Sequence, residues 1–141
     1  MAEWSSNAVQ TVNPGESVIF TENPVPPVTS LVRHRPGTGV FMLTGVNTPC
    51  RKSSNYLVTF GANIAIPTGG TVEDISLAVA IDGATIPSSQ MMFTPAAVEE
   101  YGNVSCNVNA AILCGCCESV TIRNISNQPI LVQNANVIFA R

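Results

Sequence analysis

The sequence predicts an all-β chain, a single antiparallel β-sandwich of about eight to ten short strands. Three observations predict it. Val and Ile together number 28 against 6 Leu, and branched side chains fit a pleated surface better than a helix. The apolar residues recur with a period of two. Turn residues return at roughly 8–12-residue spacing, the signal of a sandwich or jelly roll. At 141 residues the chain is one domain's worth, long enough to bury a core without metal or disulfide staples. No internal repeat is visible, which argues against a propeller or β-helix.

The elements follow in order. Ser17–Thr21 comes after the turn signal Asn13-Pro14-Gly15, and Val28–Arg33 lies between Pro26-Pro27 and Pro36-Gly37. Gly39–Val46 is a third run, closed by Asn47-Thr48-Pro49. Asn55–Ile66 is the longest, with Tyr56, Val58, Phe60, Ala62, Ile64 and Ile66 on one face. Ile75–Ile81 alternates strictly, with Ile75, Leu77, Val79 and Ile81 inward. Asp82-Gly83 then supplies a tight hairpin turn, and Ala84–Phe93 returns. Pro95–Tyr101 alone has helix-like composition, enough for one or two turns. Asn103–Leu113 and Ser119–Ile125 form a further pair around a cysteine turn, and Pro129–Ala140 closes the chain.

The first 14 residues stand apart, polar except for Trp4, Val9 and Val12. They are expected to form an N-terminal arm (1–14) ahead of the sandwich domain (15–141), with those three residues as partner-binding anchors, because Trp is enriched at binding hot spots. The N-terminus has neither a basic n-region nor an apolar h-region, so no secretory signal is expected and synthesis is assigned to a host cytoplasm. No apolar run is long enough for a membrane-spanning helix. Two sequons, at Asn103 and Asn124, are read as chance matches.

Five cysteines are present: Cys50, Cys106, Cys114, Cys116 and Cys117. Cys114 and Cys117 have C-x-x-C spacing, yet a zinc site needs four ligands and no second pair or histidine cluster accompanies them. Free thiols acting as small buried hydrophobes are expected, with a disulfide or intersubunit bond and a metal site as the alternatives.

Charge is scarce, at 11% of residues, and the net charge is −3. Six basic residues cannot neutralise many phosphates, which excludes a conventional nucleic-acid binder. Catalytic constellations are absent as well, so no catalytic, cofactor-binding or metal-ligating residue is assigned and the chain is expected not to be an enzyme. His34 is the only imidazole, and its setting in Arg33-His34-Arg35 should lower its pKa by like-charge repulsion at a solvated strand end. Glu73-Asp74 and Glu99-Glu100 are adjacent pairs that cannot face each other across a substrate. Gly69-Gly70 precedes no helix and is not a phosphate cradle. Arg33, Arg35, Arg51 and Lys52 make the one basic concentration, read as a solvated face with an acidic-partner contact as the alternative.

Thr38-Gly39-Val40-Phe41 followed by Asn55-Tyr56-Leu57-Val58-Thr59-Phe60 resembles the C1q/TNF-like jelly-roll superfamily. Leu77–Gly83, Ser119–Arg123 and the terminal Asn136–Arg141 are similar to further segments of it, in the same order. The chain departs from that pattern at Asn55, where the superfamily carries Gly, and in an added loop Asn47–Ser54. Relatives include the C-terminal domains of bacterial exosporium proteins and phage head-surface or fibre proteins. The resemblance implies a jelly roll and a homotrimer. Calcium near the trimer axis occurs in some such domains, but Asp82 alone on its hairpin does not make a ligand set.

Ionic residues are missing from Ser53–Val72, Tyr101–Cys117 and Asn124–Ala140, three strong strand regions. Outward strand faces of a lone soluble monomer normally carry charge. The deficit predicts that these faces meet copies of the chain. The expectation is therefore a structural protein, a trimeric phage capsid decoration or short fibre protein on a virion surface, held to the major capsid protein or another virion protein by its arm. The alternatives are a C1q-like module recognising glycans or a host receptor, and a bacterial spore-surface protein.

Overall fold

Alternating apolar residues drive the chain into two antiparallel sheets, seen in a computed structural model that describes residues 1–27, 31–45, 53–113 and 117–141. In chain order the strands are β1 (Ala2–Ser6), β2 (Gln10–Val12), β3 (Glu22–Val25), β4 (Val32–His34), β5 (Phe41–Leu43), β6 (Ser53–Ala65), β7 (Ile75–Ile81), β8 (Ala84–Thr85), β9 (Met91–Phe93), β10 (Gly102–Leu113), β11 (Glu118–Asn124) and β12 (Ile130–Ala140). The first sheet has the order β10-β6-β12-β1-β3, with β2 also on β12. The second runs β4-β5-β11-β7-β8, with β9 also on β7. Neighbours that are distant in sequence, such as β1 with β12 and β6 with β12, are what a jelly roll requires.

The inward faces meet in one core. Trp4, Phe60 and Phe139 of the first sheet face His34 and Phe41 of the second, with Phe20 of the segment before β3 packed among them. Their rings lock edge to face: Trp4 lies 5.1 Å from Phe41, Phe20 5.3 Å from Phe41 and Phe20 6.4 Å from Phe60. Such pairs contribute about 0.5–1.5 kcal/mol beyond their burial.

Several expectations are corrected. Residues 1–14 are not an arm beside the sandwich. β1 pairs with β12 over five residues, Ala2↔Phe139 to Ser6↔Ala135, and β2 pairs with the same strand. The cause is the alternation of Ala2, Trp4 and Ser6, which gives a short polar segment one face to bury. Ser17–Thr21 forms isolated bridges, Ser17↔Arg123 and Phe20↔Thr38, instead of a strand. Ala84–Phe93 is broken into β8, a 3-10 turn at Pro87–Ser89 and β9. Pro87 has no N–H to give the ladder. The Ser89 hydroxyl fills the gap, accepting from the Val79 N–H at 2.9 Å and donating to the Ile86 carbonyl at 2.7 Å.

Pro95–Tyr101 forms turns and bends, and no α-helix occurs among the described residues. Glu99 sits at φ 59 and its N–H bonds the Ile66 carbonyl at 2.7 Å, a left-handed anchor incompatible with a helical turn. In β7 the alternate residues Ser76, Ala78 and Ala80 are buried as well. Arg123, paired with Ala78, reaches the Gly15 and Gly83 carbonyls at 3.2 and 2.7 Å and lies along that side of the sheet. The hairpin after β7 is as read: Asp82 and Gly83 adopt φ 49 and 85.

A candidate assembly face on the first sheet

β10, β6 and β12 lie side by side, and their register aligns the outward residues in rows. Asn103, Asn63 and Gln133 form one row; Ser105, Gly61 and Asn136 the next; Asn107, Thr59 and Ile138 a third; Asn109, Leu57 and Ala140 a fourth. None of these twelve residues is ionisable. Amides and hydroxyls bond across the strands: Asn103 Nδ2 donates to Asn63 Oδ1 at 3.1 Å, and Thr59 Oγ1 to Asn107 Oδ1 at 2.9 Å. Cross-strand polar pairs of this kind hold side chains flat against the sheet. A bulge between Gln133 and Asn136, with Asn134 at φ 52, keeps Val132 and Val137 both inward. The resulting face is uncharged, with Leu57 and Ile138 as its large apolar side chains.

The residues expected to anchor a partner are not brought together. Trp4 is 4% exposed and Val12 2%, both in the core, while Val9 is 50% exposed in the link between β1 and β2. The alternation Ala2-Trp4-Ser6 was the available signal that this segment is a strand.

His34 is half-buried, not at a solvated strand end. Its ring stacks on Phe41 at 4.4 Å, and Nε2 lies 2.8 Å from the Thr38 carbonyl. Nδ1 is buried without a hydrogen-bond partner among the described residues. Burial pushes its pKa below the ordinary imidazole value, and the Thr38 bond partly offsets this. The cause is desolvation, not the neighbouring arginines.

Asp82 Oδ1 accepts from the Ser119 N–H at 2.8 Å and from its hydroxyl at 3.1 Å, so this carboxylate ties β11 to the hairpin. Thr68 donates to Glu99 at 2.6 Å, and Thr94 bonds Asp74. Of the sequon asparagines, Asn124 is buried with its amide bonded to the Val12 and Gln128 carbonyls at 2.9 and 3.0 Å, whereas Asn103 is exposed. Cys106 is a free, half-buried thiol whose pKa burial pushes up. Cys117 is disulfide-bonded, which corrects the free-thiol expectation for that residue. Cys50, Cys114, Cys116, Arg51 and Lys52 lie outside the described residues.

Neither a family model nor a curated protein sequence matches the chain. Solved structures do. The globular domain of the zebrafish complement 1qA protein is 13% identical, with 97% of this chain and 94% of that one covered and a TM-score of 0.62. Murine APRIL at pH 8.5 is 7% identical, with 99% and 98% covered and a TM-score of 0.64. Eiger TNF from S. frugiperda is 11% identical, with 99% and 90% covered and a TM-score of 0.58. The chain thus has the C1q/TNF-like jelly-roll fold.

Proposed function

We propose that this chain is a non-catalytic jelly-roll module that works as a homotrimer, its copies meeting through the outer face of β10, β6 and β12. The observation that carries this reading is the absence of any ionisable residue from the four aligned rows of that face. A solvated sheet face normally carries charge, and a buried one must avoid unpaired charge. The C1q/TNF-like fold supports the same assembly. The non-catalytic part is supported by His34, whose Nε2 is committed to the Thr38 carbonyl and whose ring is packed against Phe41.

Within this reading the trimer sits on a virion surface after synthesis in a host cytoplasm, as the small neutral-polar domain suggests. Attachment to a capsid protein would then use another surface, because Trp4 and Val12 are spent in the core.

The test is charge placement. Thr59→Lys and Ile138→Lys, on the third row, should dissociate the assembly while leaving the chain folded, whereas Glu22→Lys on β3 should not. Unchanged assembly in both row variants, measured by sedimentation velocity with circular dichroism as the folding control, would overturn the reading.

A further inference from the structure

The second sheet carries a surface of opposite character. Its outer side at β4 and β5 is an open depression of about 600 Å³ lined by Arg33, His34, Arg35, Thr38, Val40 and Met42. Arg33 and Met42 are register partners and lie on the outward side, as does Ser119 beyond them. Val40 is 43% exposed. Arg33 and Arg35 are both exposed, in a chain whose net charge is −3. Arg33 donates to Cys117 Sγ at 3.4 Å, and Arg35 has no side-chain partner among the described residues. Among the described residues neither guanidinium is matched by a carboxylate. Two cations two residues apart without counter-charge among the described residues, beside the exposed Val40 and the half-buried Met42, are poised for an external anion.

We propose that this shelf binds an extended acidic peptide segment of a partner protein, with alternate Asp or Glu side chains on the two guanidiniums and intervening apolar groups over Val40 and Met42. The pitch supports a peptide. Side chains two apart along an extended chain repeat at about 6.6–6.8 Å, and Arg33 in β4 and Arg35, one residue past its end, are long enough to meet carboxylates at that repeat. The floor supports it too. The rings nearby, His34 and Phe41, are packed into the core, which leaves an aliphatic and thioether surface with no aromatic platform for a sugar ring. The shelf lies on the opposite sheet from the proposed assembly face and does not depend on that reading.

The probe is a fluorescein-labelled acetyl-Glu-Val-Glu-Leu-Glu-Val-Glu-amide, titrated by anisotropy against the full chain at low salt, beside the same peptide with Lys for Glu and a sulfated polysaccharide. Binding of the Glu peptide alone is expected. It should weaken with added salt and by at least about tenfold in Arg33→Glu/Arg35→Glu. Arg35→Ala, which removes no described bond, should weaken it as well with an unchanged melting temperature. No binding of the Glu peptide, equal binding by the variants, or binding of the polysaccharide in its place would overturn the proposal.

Discussion

His34 shows how one position couples sequence to stability. Its side chain closes the aromatic cluster, stacked on Phe41 and edge-on to Trp4 at 5.7 Å, with Nδ1 buried and unpartnered among the described residues. Protonation would put a charge where no acceptor waits. Because the folded-state pKa is lowered, the unfolded chain takes up a proton first as pH falls. Stability is therefore full above about pH 6.5 and is lost as pH drops below it, until the folded ring protonates too. His34→Phe should flatten that part of the profile relative to the natural chain, as read by urea melts across pH; two superimposable profiles would remove His34 as the cause. Trp4 makes the second prediction at this scale. Trp4→Ala should cost about 3–5 kcal/mol, the range for large aromatic truncations in a core, whereas Val9→Ala should stay within about 0.5 kcal/mol. A small effect at Trp4 would restore a detachable arm.

Among the elements, length and period decided what the sequence could reveal. β6, β7, β10, β11 and β12 are long enough for alternation to stand out, and each lies within a residue or two of its expected bounds. β1 and β2 did not stand out, because five and three residues of mostly polar character look like a tail until β12 supplies the pairing partner. The 3-10 turn at Pro87–Ser89 and the left-handed Glu99 depend on contacts with Val79 and Ile66 that no local pattern encodes. The assembly face was half legible. Uncharged stretches could be seen along the chain, but that they fall on adjacent strands of one sheet follows only from the crossovers of the fold. One turn offers a direct check. Gly83 at φ 85 should resist a side chain, so Gly83→Ala should destabilise by about 1–2 kcal/mol in thermal melts. Deleting residues 1–6 should abolish cooperative unfolding, since β12 and β3 would both lose their pairing to β1; a cooperative melt in the truncated chain would contradict the fold as described.

For the molecule as a whole, the two sheets present two unlike outer faces. The first is neutral across β10, β6 and β12, and the second carries Arg33 and Arg35 beside Val40 and Met42. A monomer gains nothing from leaving a flat uncharged sheet face in water, and it risks non-specific association there. Closed rotational symmetry removes that risk by burying the same face in every copy. On the proposed reading, the low charge of the chain follows from how its copies meet. Sedimentation equilibrium of the intact chain at micromolar concentration tests this most directly. The account predicts a single species with the mass of three 14.8 kDa chains, and a stable monomer at that concentration would contradict it.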